Sequence, residues 1–232
     1  MKPNRVRCCL ILKTMSFAVV CTLAGCQVDG GARAGENRSD YRVLPTPDTA
    51  RGMPLNEALF ARRSVRRFTP RALTENELGQ LLWAGQGVTS PHGFRTAPSA
   101  GALYPLEIHV VTEGGVFRYN PQKHRTERLV TGDRRSALAQ AFHGQDWVVD
   151  GSAVFVVAGV VSRTRSKYGT RAERYVVFEA GAAVQNMLLQ AVNLGLGAVV
   201  VGAYHDEQVG RIAALPRGST PLAVVPVGEP TF

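Results

Sequence analysis

The 232-residue chain has no cysteine beyond position 26: Cys8, Cys9, Cys21 and Cys26 are all that it contains. Residues 27–232 therefore hold no disulfide, no thiolate-ligated zinc or iron–sulfur site and no cysteine nucleophile. Lysine is nearly as scarce, with only Lys123 and Lys167 after residue 25. The five histidines, His92, His109, His124, His143 and His205, show no metal-ligand spacing and no H-E-x-x-H pattern. There is no G-x-S-x-G nucleophile elbow, and no G-x-G-x-x-G joins a strand to a helix. No apolar run in the body of the chain reaches the roughly 20 residues of a bilayer span, so a multi-pass membrane protein is excluded. These absences remove thiol, metal and serine-hydrolase chemistry from consideration.

Charge is also unevenly placed. The formal net charge is +9, from 27 basic and 18 acidic residues. Lys2, Arg5, Arg7 and Lys13 are the only charges in residues 1–25, which leaves 23 basic against 18 acidic residues beyond them. That excess is modest, and no basic stripe interleaved with aromatics runs through it, so nucleic acid is not expected as a partner. The densest cluster is Arg62-Arg63-Ser64-Val65-Arg66-Arg67. It is too short for a polyanion groove and sized for one phosphate, which paired guanidinium forks grip well. The plainer reading is a solvated basic patch at a helix end.

The first 25 residues read as a lipoprotein signal peptide. A basic start precedes the apolar stretch Met15–Ala24, and Leu23-Ala24-Gly25-Cys26 resembles the bacterial lipidation box, with Cys26 as the lipidated residue. The alternative is an uncleaved membrane anchor. Residues 26–50, rich in Gly, Pro and charge without an apolar period, read as a flexible tether. Residues 51–232 form the domain. The chain's 45% apolar composition is globular, and the domain's location is expected to be the cell envelope, on a membrane and outside the cytoplasm.

Within the domain, Leu55–Arg62 reads as a short helix. Thr74-Glu75-Asn76-Glu77 is a capping-box pattern that opens a helix running to about Gln86, with Leu78, Leu81 and Leu82 inward. Leu106–Thr112 and Val116–Asn120 pair as a hairpin around Glu113-Gly114-Gly115. A short helix over Arg134–His143 precedes a strand over Val154–Val161 buried on both faces. Arg171–Leu194 is the longest helix, its stripe built on Val176, Ala180, Ala183, Met187 and Ala191 and widened by Val177, Val184 and Leu188. Ala198–Val201 and Leu222–Val227 are strands, and Asp206 caps a helix to about Leu215. The pattern is α+β with a largely antiparallel sheet flanked by helices.

Four segments could carry chemistry. Arg62–Arg66 is one. Thr96–Glu107, with small residues between Pro98 and Pro105, lets backbone approach a flat ligand closely, or is simply a tight loop entering a strand. Ser166-Lys167-Tyr168-Gly169, read as a loop, carries two groups able to exchange protons, or two exposed side chains. Gly195–Tyr204 brackets a buried strand with glycines.

The order R-R-S-x-R, P-S-A-G-x-x-Y-P-x-E, K-Y-G, R-Y…E-A-G-x-x-x-Q-N and V-G-x-P resembles the nitroreductase-like FMN oxidoreductases, closest to the SagB/ThcOx-type dehydrogenase branch. The resemblance spans about Leu55 to Pro230. It implies FMN at a homodimer interface and a small-molecule substrate. Arg62, Arg63, Ser64 and Arg66 would hold the phosphate, ribityl and pyrimidine parts. Pro98, Ser99 and Ala100 would reach the flavin from the partner subunit. Gly202 and Ala203 would set backbone near its reactive edge, and Lys167 with Tyr168 would move the proton. Ala182 stands where that branch commonly carries a histidine. The competing reading is a non-catalytic flavin-binding or interaction lipoprotein.

Overall fold

The structure is a computed structural model, and it describes residues 41–231. The expected signal peptide, the expected lipidation residue Cys26 and the expected tether up to residue 40 lie outside the described residues. The described chain runs β1 (Tyr41–Val43), α1 (Leu55–Ala61), α2 (Glu75–Gln86), β2 (Leu106–Thr112), β3 (Gly115–Asn120), β4 (Arg125–Thr131), α3 (Arg135–Ala139), β5 (Ala153–Gly159), α4 (Val161–Tyr168), α5 (Ala172–Asn193), β6 (Gly197–Ala198), α6 (Asp206–Ile212) and β7 (Thr220–Gly228). The strands form one sheet in the order β1-β4-β3-β2-β5-β7-β6, every neighbour antiparallel. The fold is α+β, as the pattern implies.

β5 shows why the sheet is buried on both sides. All seven of its residues are buried, with side chains alternating across the sheet. Ala153, Phe155 and Val157 join a core with Leu81 and Leu82 of α2 and with Val176, Ala183, Met187 and Ala191 of α5. Val154 and Val156 join a second core with Leu138 of α3, Val209 of α6 and Val148. The capping box on α2 is present: the Glu77 N–H donates to Thr74 Oγ1 at 3.2 Å, and the Thr74 N–H donates to Glu77 Oε2 at 2.7 Å.

Several expectations need correction. Ordered structure begins before residue 51, inside the stretch expected to be tether. Tyr41–Val43 pairs with β4, and Leu44 is buried. His124 clamps this stretch: its Nε2 donates to the Pro45 carbonyl at 2.9 Å, leaving Nδ1 to accept from the Tyr119 hydroxyl at 2.9 Å. Three exposed residues give a strand no apolar signature. β4 was hidden because its polar side chains pair with one another and their neighbours: Glu127 takes both Arg118 and Arg125. Lys167 and Tyr168 end a helix rather than sit in a loop. α4 buries only Thr164, so no apolar period announces it. Val177 is 55% exposed and does not widen the inner stripe of α5. Ala198–Val201 is strand only at Gly197–Ala198, followed by a single bridge from Val201 to Val224. α6 ends at Ile212, and His205, not Asp206, is its cap residue.

Gly85 sits where α2 crosses the core. A Cβ there would stand 2.7 Å from Ile108 Cδ1 and 3.1 Å from Met187 Sδ. Gly→Ala in a helix interior gains up to about 1 kcal/mol, but overpacking costs about 1–3 kcal/mol. Ile108 and Met187 are both fully buried and have nowhere to move. Gly85→Ala is therefore expected to lower stability by about 1 kcal/mol in urea unfolding; a gain would show that this packing is loose.

Candidate functional site

Two of the four sequence segments meet at the β6 edge of the sheet. After α1 the chain turns outward, and Ser64 bridges Ala198 in parallel register while the Val65 N–H donates to the Ala198 carbonyl at 3.1 Å. This lays Arg62–Arg67 beside the strand that leads to Gly202 and Ala203, both exposed. Arg63 donates to the carbonyls of Phe60 and Arg62 at 2.8 Å, which closes the end of α1. Arg66 lies 5.5 Å over the Trp147 ring. None of Arg62, Arg63, Arg66 and Arg67 has a carboxylate partner among the described residues, whereas Arg42, Arg71, Arg118, Arg125, Arg135, Arg163 and Arg165 each have one.

The other two segments meet each other. Gly101 takes φ +62°, a conformation costly for other residues, and packs under the end of α4. A Cβ on it would stand 2.8 Å from Lys167 Nζ and 2.9 Å from Tyr168 Oη. The Lys-Tyr pair thus lies directly on the P-S-A-G loop. Buried Glu179 of α5 anchors that loop by accepting from the Ala100 N–H at 2.8 Å. Ser99 Oγ accepts from the Tyr104 N–H at 2.9 Å, and Asn186 Nδ2 donates to the Thr96 carbonyl at 3.1 Å. Ser99 therefore shapes the loop, with its hydroxyl oxygen turned to its own backbone. Pro98 is exposed. Cavities of about 890, 490, 330 and 180 Å³ occur in the chain, and none is lined by the nine residues expected to hold a cofactor.

Sequence reasoning missed Glu179 as an anchor, although E-A-G was part of the matched pattern. It also missed a charged group below the loop. Glu107 pairs with Arg163 of α4, and its second oxygen lies 3.8 Å from Nε2 of fully buried His109. His109 Nδ1 meets the Ala213 carbonyl at 2.7 Å, and so donates to it. The neighbouring His109 ring and the paired Arg163 guanidinium outweigh desolvation and hold Glu107 down to about 2. Arg95 stacks 4.3 Å over the Tyr104 ring and donates to Gln86 Oε1 at 2.7 Å. Burial pushes Arg95 below the ordinary arginine value.

Comparison with known proteins identifies the family. Residues 59–229 match the Nitroreductase family. A Methanocaldococcus jannaschii protein bearing the nitroreductase name is 40% identical over 196 residues, covering 82% of this chain and 98% of its own. The NADPH-flavin oxidoreductase of Vibrio harveyi is 25% identical, over 75% of this chain and 65% of its own. A crystal structure from Ralstonia eutropha, also bearing the nitroreductase name, superposes with a TM-score of 0.75 at 30% identity, covering 86% of this chain and 93% of its own. The chain belongs to the nitroreductase family, a family of oxidoreductases.

Two outcomes follow from these contacts. Glu107 has a folded-state value below its unfolded one. Its stabilisation is complete above the ordinary carboxylate range near pH 5 and disappears as pH falls toward about 2. Acid unfolding should therefore remove up to about 3 kcal/mol over that window, and Glu107→Gln should flatten it. Equal acid sensitivity of the two proteins would show that Glu107 is not the group responsible. Glu179→Ala removes the acceptor of the Ala100 N–H, at a cost of about 1–3 kcal/mol. It should speed amide exchange at residues 98–104 well beyond its effect on the β5 amides; a uniform change would deny Glu179 a specific hold on the loop.

Proposed function

We propose that this chain is an FMN-dependent oxidoreductase, working as a homodimer and taking hydride from a donor for delivery to a small organic or quinone-like acceptor. The observation that carries the reading is the run of four arginines without carboxylates, laid beside the exposed backbone at Gly202 and Ala203. A doubly charged phosphate supplies the counter-charge that this cluster lacks. Gly202 has open space where a side chain would be, which suits close approach of a flat ring. FMN, when bound, supplies the hydride-transfer chemistry. Everything else is the protein's work: Arg62, Arg63 and Arg66 bind the phosphate end, Ser64 and the Gly202–Ala203 backbone orient the ring, and Lys167 Nζ or Tyr168 Oη holds the proton that accompanies the hydride.

The homodimer is supported by apolar groups left uncovered. Leu55, Leu59 and Phe60 of α1 are 50–81% exposed, and Val177 and Phe178 of the packed helix α5 are 55% and 61% exposed. Large exposed apolar side chains on two helices support an interaction face there. As the family resemblance implies, a second copy would bring its own Pro98–Ala100 loop to the flavin. The Lys167–Tyr168 pair supports the SagB-type dehydrogenase branch over a nicotinamide-dependent nitroreductase. Attachment through a lipid on Cys26, outside the cytoplasm, fits that choice because nicotinamide donors are scarce there and oxygen or a quinone can accept electrons. No helix among the described residues is long and apolar enough to cross a membrane.

The purified full chain should be yellow or take up FMN. Arg62→Ala combined with Arg66→Ala should weaken uptake at least tenfold, and Phe178→Glu should shift the sedimenting species to monomer. Lys167→Ala should retain flavin but turn over about 100-fold more slowly, the usual scale for a lost proton-transfer group. A chain that takes up no flavin refutes the proposal. Full turnover by Lys167→Ala removes the role of that residue, whereas a flavin-loaded wild-type chain without turnover favours the non-catalytic binding reading.

A further inference from the structure

The β2–β3 hairpin splits open at one end, and the split is lined with arginines. The ladder between the two strands ends at His109–Arg118, yet β2 extends back to Leu106 and β3 extends forward to Asn120. Each strand stays paired on its outer side, β2 with β5 through Leu106 and β3 with β4 through Asn120. The walls of the gap are therefore held rigidly apart. A cavity of about 180 Å³ fills it, lined by Glu107, Arg118, Tyr119 and Asn120 from the strands, with Arg95 and Arg163 entering from outside.

The charges of this cavity do not balance. Arg118 has Glu127, and Arg163 has Glu107. Arg95 has no carboxylate among the described residues, and its buried Nε has no acceptor. A half-buried cation that lines a rigid cavity without a carboxylate of its own calls for an anion. The same arginine stacks on Tyr104, three residues from the Gly101 that touches Lys167. Arg163 lies one helical turn before Lys167 on α4, a rise of about 6 Å.

We propose that this gap is a subsite for a carboxylate carried by the substrate, with Arg95 as its principal ligand and Arg163 as a weaker second one. The planar fork of Arg95 matches a carboxylate, and the subsite would hold the acidic end of a substrate while Lys167 faces the reacting part. The inference rests on the oxidoreductase reading only in assigning that carboxylate to a substrate; the anion site is testable without it.

Calorimetric titration of the full chain, with and without FMN and at fixed ionic strength, decides the matter. Benzoate is expected to bind, benzamide to bind at least 20-fold more weakly, and inorganic phosphate likewise. Arg95→Gln should weaken benzoate at least 20-fold, Arg95→Lys should recover part of that loss, and Arg163→Gln should cost less than Arg95→Gln. Acetate binding as tightly as benzoate assigns the site to a free small carboxylate, whereas tighter benzoate assigns it to the acidic end of a larger molecule. Benzamide or phosphate as tight as benzoate, or undiminished benzoate binding by Arg95→Gln, overturns the proposal. The wild-type ligand series answers even where Arg95→Gln folds poorly. Failure to take up FMN with benzoate binding intact sinks the flavin reading alone; FMN uptake without benzoate binding sinks this subsite alone.

Discussion

A sheet packed on both faces leaves its polar chemistry nowhere to go but the rim. β5 is buried throughout, and its neighbours β2 and β7 are nearly so. Any group that must meet solvent or a ligand is therefore carried at an edge, a strand end or an element outside the layers. The arginine cluster lies along the short β6 edge. The Lys167–Tyr168 pair sits at the end of a hydrophilic helix. The P-S-A-G loop enters β2 at the strand's first residue, and the charged split opens at the same end of β2.

The arginines divide into two populations, and the division carries more meaning than their number. Along the hairpin and on α4, guanidinium groups meet carboxylates at normal distances and stiffen the strands that carry them. Exposed pairs of this kind are worth little singly, on the order of 0–1 kcal/mol. The uncompensated ones are another matter. At the β6 edge three of the four are exposed and Arg62 is half-buried, so they are cheap to maintain and a ligand's charge is the gain. At Arg95 burial makes the lone charge costly, and the protein tolerates it by stacking on Tyr104 and bonding to Gln86.

Much of this was legible in the sequence wherever burial imposes a period. Capping box, hairpin, central strand and long helix all fell within one or two residues of their positions, because apolar spacing and turn chemistry speak locally. Elements that bury little were silent: β1 has three exposed residues, α4 buries one, and β4 satisfies its polar groups through cross-strand ion pairs. The site was legible as an ordered set of short segments. Its pairings were not, since that Lys167 touches Gly101 or that Glu179 holds Ala100 depends on contacts spanning 66 and 79 residues. Arg95 gave no signal at all; its isolation is visible only when every nearby carboxylate is seen to be taken.

The first strand has a protective consequence. β4 presents seven residues, and β1 is the strand that covers its outer side. β1 is only three residues long, carries Arg42 at its centre, and is clamped behind by His124. A long uncovered strand invites pairing with the same strand of another molecule, whereas a short charged one discourages it. Trimming the chain past Val43 would leave the domain's core untouched and turn its outer margin into a template for self-assembly.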